Sequence, residues 1–266
     1  MKQLQLVQIP HSVKIGDKCG DIQPNITEDT LFMDGTEVVG FYIKNLEGKL
    51  KALVELADAE LRSERVPKTE MSRGPQGNKQ QKAERAAAGI ELVTQYSTIL
   101  GSIPPKPHMK RAYPSRSSVH QVKTAQTFVK AMLLACRESE DVIKTIAPNI
   151  FNRQQEIINK SVPPQYRFGR LFTSSISNFN IAAPFHRDAG NLEGCVNVII
   201  AKKRNAKGGN TTIPDYGATV DSSDNSMLVY PAWRNVHGVT PIRPTAPGGY
   251  RNSLVFYPLK AFNSYW

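Results

Sequence analysis

The chain has 266 residues, 40% of them hydrophobic, and 34 lysines and arginines outnumber 23 aspartates and glutamates, giving a formal charge of +11. This composition excludes a collagen-like or low-complexity protein, and the apolar runs are too short for a transmembrane helix. The three cysteines form no CxxC pair, which excludes a disulfide scaffold and a cysteine zinc site and favours a reducing cytosol. The first residues lack the apolar core of a secretory signal, so we predict a cytosolic protein. The charge favours a polyanionic partner, most simply nucleic acid, although many basic proteins bind none.

The N-terminal part alternates apolar segments with turns. Residues 30–43 predict two strands joined at an Asp-Gly turn, and a further apolar segment covers residues 50–56. Residues 62–85 are basic and have almost nothing to bury, so they predict an exposed loop that enters a short helix at 82–93. This loop is either a solvated linker or an arm that contacts phosphates. Residues 101–116 are rich in proline and basic side chains and predict an irregular connection.

Helical periodicity is clearest after residue 117. Ser117 or Ser118 is positioned to cap a helix whose apolar side chains recur at a spacing near 3.6 residues. The members of this stripe are Val119, Val122, Phe128, Val129, Met132, Leu133 and Cys136. Two further helical segments follow at residues 138–147 and 150–159, and a Val-Pro-Pro sequence ends the second of them.

From Arg167 onward, short β-rich runs separated by turn sequences replace the helices. These runs cover residues 172–181, 196–200, 227–230, 235–242 and 252–257. We therefore predict one α+β domain over residues 1–266. In this prediction residues 1–165 supply strands, the basic loop and a supporting layer of helices, and residues 166–266 form the β core.

The sequence Phe185-His186-Arg187-Asp188 carries the first chemical signal. Residues i and i+2 of a strand project to the same side, so His186 and Asp188 can place an imidazole nitrogen and a carboxylate oxygen on one metal ion. A second histidine, His237, lies in a later β-rich run. Two histidines and one carboxylate with open coordination positions are the ligand set of non-haem Fe(II) oxygenases.

Arg251 follows His237 across a turn rich in proline and glycine, so a returning strand would carry it back beside the metal strand. Alternation with period two places one set of side chains on a common face, namely Arg251, Ser253, Val255 and Tyr257. An inward guanidinium is suited to grip the distal carboxylate of 2-oxoglutarate, with Ser253 adding a hydrogen bond. Iron, O2 and 2-oxoglutarate would then give a ferryl species that abstracts hydrogen from a nearby C–H bond. The alternative is that Arg251 is a surface charge and His237 a turn residue.

These residues resemble the 2-oxoglutarate/Fe(II)-dependent dioxygenases, whose fold is a double-stranded β-helix, or jelly roll. The segment HRDAGNLEGCVNV, which starts at His186, is similar to the H-R-D-x-x-N…G-x-x-V segment of the TET/JBP branch. That branch oxidises the methyl group of 5-methylcytosine or thymine in nucleic acid. The later segments LVYPAWRNVHGVTPI and GGYRNSLVFYPLK look like those of compact, phage-encoded members. The resemblance covers residues 165–260 well and the N-terminal part only loosely.

The resemblance implies a role for each matching position. The implied iron ligands are His186, Asp188 and His237, and the implied 2-oxoglutarate ligands are Arg251 and Ser253. Asn191 would hydrogen-bond a flipped pyrimidine, and Tyr257 would stack on it. Leu259 stands where the animal enzymes place a base-contacting histidine, which leaves the choice between methylcytosine and thymine open. Arg111 and Arg116 are the candidates for an upstream arginine that also holds 2-oxoglutarate in the animal enzymes.

The resemblance thus predicts a base-flipping dioxygenase that converts 5-methylcytosine in double-stranded DNA to 5-hydroxymethylcytosine, with thymine as the alternative base. Two further alternatives are an oxygenase of the same fold that acts on a protein or a small molecule, and a DNA-binding module without activity. The expected cofactors are Fe(II), 2-oxoglutarate and O2. The expected partner is DNA, contacted through the basic segments 62–85, 106–116 and 202–207. We expect a location in the cytoplasm, that of the host if the protein is phage-encoded.

Overall fold

The computed structural model describes residues 1–70, 94–106 and 111–265, together with the single positions 80, 83, 87 and 108. Its longer helices are α1 (Gly48–Arg62), α2 (Gln126–Ile146) and α3 (Pro148–Ser161). Its strands are β1 (Lys2–Gln5), β2 (Thr30–Asp34), β3 (Glu37–Ile43), β4 (Thr69–Glu70), β5 (Tyr96–Ile103), β6 (Ser115–Arg116), β7 (Ser174–Phe179), β8 (Ala183–His186), β9 (Asn197–Arg204), β10 (Ala206–Gly208), β11 (Thr211–Ile213), β12 (Ala218–Val220), β13 (Ser226–Tyr230), β14 (His237–Val239), β15 (Ile242–Pro244) and β16 (Tyr250–Tyr257). None of the helices in the described ranges is both long and apolar enough to span a bilayer.

Two sheets form the β core. Four neighbouring strands of the larger sheet lie in the order β13-β9-β16-β7, and the smaller sheet has the order β12-β11-β14-β8. All neighbours within these two sets pair antiparallel. Followed along the chain, the eight strands alternate between the sheets except at β11 and β12, which form a hairpin in the smaller sheet, and this is the order expected for a jelly roll.

Strands from the N-terminal part extend the larger sheet on both sides. On one side β3 pairs with β13 and is followed by β2 and β1, and on the other side β5 pairs with β7 and is followed by β4. The strand pair predicted at residues 30–43 is confirmed as the antiparallel pair β2 and β3. Gly35 in the turn between them has a φ of +60°, a conformation that glycine adopts without strain.

The helices pack on the outer face of the larger sheet, and strand alternation explains which side chains they cover. The sheet residues of the shared core include Val198 and Ile200 of β9 and Leu254 and Phe256 of β16. The helices contribute Val54, Leu61, Phe128, Met132 and Phe151 to the same core. Burial of these apolar side chains holds the helices on the sheet. The predicted mixed α+β architecture with N-terminal helices is therefore confirmed.

Several helical boundaries differ from the predictions. Residues 138–147 form no separate helix, because α2 continues through them to Ile146 and Pro148 then begins α3. Ser117 caps only a short 3-10 turn, where its Oγ accepts a hydrogen bond from the Val119 amide at 3.3 Å. The apolar segment at residues 50–56 lies within α1.

The connections also differ in part from the predictions. Residues 101–116 are not irregular throughout, because β5 extends to Ile103 and β6 covers Ser115–Arg116. At the start of the predicted basic loop, Arg62 ends α1 and residues 69–70 form β4. Residues 71–79 of that loop, and most of the helix predicted at 82–93, lie outside the described residues.

Candidate metal centre and pocket

Strands β8 and β14 bring the three predicted metal ligands together. His186 ends β8 and lies directly opposite His237, the first residue of β14. Oδ1 of Asp188 lies 3.5 Å from Nε2 of His186 and 3.9 Å from Nε2 of His237. The three side chains offer ligand atoms within 4.8 Å of one another, so they can hold one metal ion.

Hydrogen bonds orient both imidazole rings. Nδ1 of His186 lies 2.8 Å from the carbonyl oxygen of Pro184, and Nδ1 of His237 lies 3.1 Å from the carbonyl oxygen of Asn235. A carbonyl oxygen only accepts, so each ring carries its proton on Nδ1 and presents the lone pair of Nε2. Burial and the neighbouring His186 lower the pKa of His237 to about 4. The ring of His237 is therefore neutral at pH 7, as a metal ligand must be.

Two amides support Asp188 on the side away from the histidines. Nδ2 of Asn197 donates to Oδ2 of Asp188 at 2.8 Å. Nδ2 of Asn191 donates to Oδ1 of Asn197 at 2.8 Å and lies 3.5 Å from Oδ2 of Asp188. These bonds engage Oδ2 and leave Oδ1 of Asp188 for a metal ion.

A pocket of about 540 Å³ opens beside these ligands, between the two sheets. All seven site residues predicted from the sequence line it: His186, Asp188, Asn191, His237, Arg251, Ser253 and Tyr257. Apolar walls come from both sheets, including Ile176, Ile199 and Val255 on one side and Ala183 and Val239 on the other. The pocket therefore joins a possible metal centre, a cationic group and an aromatic side chain in one space, while the individual roles of these residues stay predictions.

Arg251 is only 2% exposed, and among the described residues it forms no ion pair. Its Nε donates to Oγ of Ser222 at 3.1 Å. Burial lowers the pKa of Arg251 to about 10, because a low-dielectric site disfavours the charged form. A buried cation without a counter-charge is costly, so the pocket is suited to a ligand that carries a carboxylate. The burial of Arg251, and of His237, excludes the alternative of a surface charge and a turn residue.

Two neighbours, Asn180 and Gly209, fix the position of Arg251. The backbone amide of Asn180 donates to the carbonyl of Arg251 at 2.8 Å, and Oδ1 of Asn180 accepts from the Arg251 amide at 2.9 Å. Gly209 has a φ of +71°, and a Cβ there would lie 3.0 Å from Cδ of Arg251. Glycine thus lets the backbone approach the arginine stem closely.

The opposite face of β16 is tied to helix α1. Asp58 of α1 is buried and accepts hydrogen bonds from the hydroxyl of Tyr250 at 2.7 Å and from Nδ2 of Asn252 at 3.0 Å. Arg62 also donates to Asp58 at 3.1 Å. Because Tyr250 and Asn252 flank Arg251 in the chain, one carboxylate anchors the strand on both sides of the arginine. The sequence did not reveal these contacts, since the partners are far apart in the chain.

The remaining predicted residues differ in their relation to the pocket. Tyr257 ends β16, and burial raises its pKa to about 12, so it stays a neutral phenol. Leu259 lines the pocket beside it. Neither arginine candidate lies in the pocket wall, since Arg111 donates to a backbone carbonyl of Pro104 and Arg116 to one of Gln165. Neither is placed to hold a ligand there.

The residues present fit a bound Fe(II) ion and 2-oxoglutarate. Two imidazoles and one carboxylate form the donor set of a facial triad and leave other coordination positions open. The unpaired guanidinium of Arg251 in the same pocket supplies the counter-charge that a dicarboxylate needs at its far end.

Comparison with known proteins agrees with this chemistry. The model of the Tet_JBP family, described as the oxygenase domain of the 2OGFeDO superfamily, matches residues 105–260, more than half of the chain. No curated protein matches the chain. The structure of NgTET1 in complex with 5mC DNA has a TM-score of 0.58 at 13% identity, over 93% of this chain and 84% of that one, which is a similarity of fold. The structure of a full-length protein from Neurospora crassa in complex with alpha-KG has a TM-score of 0.43 at 9% identity, over 88% of this chain and 76% of that one. A 2OG-Fe(II) family oxidoreductase from Burkholderia pseudomallei has a TM-score of 0.38 at 14% identity, over 82% of this chain and 94% of that one. The chain belongs to the TET/JBP family of 2-oxoglutarate- and iron-dependent oxygenases.

Proposed function

We propose that this protein is a dioxygenase that uses Fe(II) and 2-oxoglutarate to oxidise the methyl group of 5-methylcytosine in DNA to 5-hydroxymethylcytosine. The observation that carries the proposal is a single pocket that joins the His-Asp-His cluster to the buried, unpaired Arg251 in a chain of the TET/JBP family. In this proposal the two sheets of the core are the double-stranded β-helix of such oxygenases.

Each group in the pocket has a defined task. His186, Asp188 and His237 would hold Fe(II), which together with 2-oxoglutarate supplies the O2 chemistry that attacks a C–H bond. Nε of Arg251 is engaged by Ser222, so its two terminal nitrogens remain to grip the distal carboxylate in a bidentate manner. Ser253, which follows on the same strand face, adds a hydroxyl donor.

A base in a duplex cannot reach a pocket between two sheets, so the target must be flipped out of the stack, at a cost of about a few kcal/mol. Tyr257 provides an aromatic surface in the pocket wall on which the flipped base would stack. Exposed Arg187 lies at the pocket wall between two metal ligands and can contact a backbone phosphate. In segment 202–207, Lys202 is buried and paired with Asp224 at 2.9 Å, so only its exposed neighbours can serve the same purpose. The similarity in fold to NgTET1, whose structure is in complex with 5mC DNA, supports a DNA substrate.

The orientation of Asn191 favours methylcytosine over thymine. Its Nδ2 faces Asn197 and Asp188. Among the described residues its Oδ1 accepts no hydrogen bond, and Asn191 lines the pocket, so we infer that Oδ1 is available to a bound base. An acceptor at this position matches the 4-amino group of methylcytosine and opposes the O4 acceptor of thymine.

Nucleoside analysis tests the proposal. The protein is incubated with Fe(II), 2-oxoglutarate and duplexes that contain 5-methylcytosine or only thymine as the methylated base, and the digested DNA is analysed by mass spectrometry. We expect 5-hydroxymethylcytosine, whereas 5-hydroxymethyluracil would assign the activity to thymine. Iron binding without a hydroxymethyl product from either base would contradict the proposal.

Two measurements separate the other candidate functions. An oxygenase that acts on a protein or a small molecule would form succinate at a rate indifferent to methylated DNA, and a binding module would retain DNA without consuming 2-oxoglutarate. His186→Ala is expected to abolish turnover and to leave the salt-dependent affinity for DNA largely intact, because phosphate contacts do not involve the metal ligands.

A further inference from the structure

Asn197 connects a metal ligand to the residue that faces the substrate pocket. It is the first residue of β9 and is only 3% exposed. Its amide makes one bond as a donor, to Oδ2 of Asp188, and one as an acceptor, from Nδ2 of Asn191. Both bonds are 2.8 Å long, so the three side chains form a continuous chain of hydrogen bonds.

The direction of this chain follows from the first group in it. Oδ2 of Asp188 accepts the hydrogen bond from Asn197, so Nδ2 of Asn197 faces Asp188. Oδ1 of Asn197 then faces Asn191, which donates a hydrogen bond to it from Nδ2. The carbonyl oxygen of Asn191 is left without a hydrogen bond among the described residues, and Asn191 lines the pocket. A metal ligand thus determines which atom of Asn191 a substrate meets.

We propose that Asn197 is a specificity-determining positioning residue, which holds the carbonyl of Asn191 toward the base and thereby selects 5-methylcytosine over thymine. This inference rests on the proposed function and names the base for the same site. A reversed Asn191 amide would place two carbonyl oxygens against each other and lose a buried bond, which disfavours that orientation by about tenfold. Without Asn197, only the longer contact of 3.5 Å between Asn191 and Oδ2 of Asp188 would oppose the reversed amide, which would offer a donor to O4 of thymine.

Two variants of Asn197 separate its effect on the metal from its effect on the base. Asn197→Asp can still accept from Asn191 but replaces the amide donor to Asp188 by a second carboxyl group, and Asn197→Leu can make neither contact. We expect both to weaken metal binding by the apoprotein about 10- to 100-fold, as loss of an outer partner does at other metal sites. At saturating Fe(II), Asn197→Asp should keep the wild-type ratio of kcat/KM for 5-methylcytosine and thymine duplexes, and Asn197→Leu should lower that ratio about tenfold.

Binding without turnover gives an independent measurement. In fluorescence anisotropy with metal-free protein, Asn197→Leu should reduce the preference for a methylcytosine duplex over a matched thymine duplex, and Asn197→Asp should not. If the leucine variant does not fold, Asn197→Val, which suits a strand, carries the same expectations. Surface Asn149→Leu should change neither metal affinity nor base preference.

The outcomes distinguish this inference from the function on which it rests. A wild-type ratio in an iron-loaded Asn197→Leu protein would overturn the role of Asn197, as would wild-type protein that oxidises both bases equally. Wild-type protein that forms succinate and leaves both bases intact would refute the proposed function and this inference together.

Discussion

Replacing Arg251 with methionine should make the metal-free protein more stable while destroying its affinity for 2-oxoglutarate. The arginine is buried, lacks a counter-charge among the described residues and lies in the pocket wall. Methionine fills a similar volume with a flexible apolar side chain and carries no charge. The two effects have opposite signs because the buried charge destabilises the protein without its ligand, whereas the carboxylate of a bound ligand pairs with that charge.

The structure gives the size of both effects. Burial lowers the pKa of Arg251 from 12.5 to about 10, which corresponds to about 3 kcal/mol of destabilisation at about 1.4 kcal/mol per pKa unit. The variant also loses the hydrogen bond to Ser222, worth about 1 kcal/mol. The free energy of unfolding of the apoprotein should therefore rise by about 2 kcal/mol. Removing one partner of a buried charge pair costs about 3–5 kcal/mol, so 2-oxoglutarate should bind at least about 100-fold more weakly.

Urea unfolding with and without 2-oxoglutarate, together with calorimetric titration under anaerobic conditions, measures both quantities. Arg234→Met is the matched control, because Arg234 pairs with Asp34 at 3.1 Å outside the pocket wall. The control should lose a little stability and keep its affinity for 2-oxoglutarate. An Arg251→Met protein that is less stable than wild type and still binds 2-oxoglutarate would refute the reasoning from an uncompensated buried charge.

Three further substitutions test other contacts. Gly209→Ala places a Cβ 3.0 Å from the side chain of Arg251, at a position whose backbone is left-handed. It should therefore lower the free energy of unfolding in urea by about 1–2 kcal/mol and raise the KM for 2-oxoglutarate. An unchanged KM would contradict that contact. Burial and Arg116 lower the pKa of His120 to about 4, so the free energy of unfolding of the wild-type protein should fall as the pH falls from about 6.5 to about 4. In His120→Gln this decrease should be less steep. Equal slopes for the two proteins in pH-dependent unfolding would contradict the prediction. Asp58→Asn replaces one acceptor oxygen by an NH2 donor that faces a buried donor, so it should cost about 2 kcal/mol and raise the KM for 2-oxoglutarate. Glu60→Gln, on the same helix, should leave that KM unchanged, and equal KM values in both variants would argue against an anchoring role.

The metal-ligand cluster and the pocket face of β16 could be predicted because strands repeat with period two. His186 and Asp188 at i and i+2 lie together in the structure, and Arg251, Ser253 and Tyr257 share the pocket face of β16. In these cases a chemically distinctive residue lies within a few positions of its partner or on the same strand face, so local pattern is sufficient.

Other parts of the site have no local signal. Asn197 and Asn180 are common residue types whose function depends on partners that the fold brings near. In the smaller sheet β11 and β12 were missed because they have only three residues each, too few to show alternation. A boundary such as the one predicted at residue 138 was wrong because α2 is continuous there, which capping and propensity alone do not decide. The phage source, the single domain and the cytoplasmic location stay predictions.

The register of β16 is where the fold and the proposed chemistry depend on each other. Its odd-numbered side chains from Arg251 to Tyr257 face the pocket, and its even-numbered side chains Leu254 and Phe256 pack under the helices. A slip of one residue would exchange these sets, placing Arg251 in the apolar core and a leucine opposite the metal ligands. The buried carboxylate of Asp58 opposes such a slip, because in the present register it accepts hydrogen bonds from Tyr250 and Asn252 of β16. Helix packing therefore stabilises the fold and also sets the distance at which the clamp can meet a ligand bound beside His186 and His237.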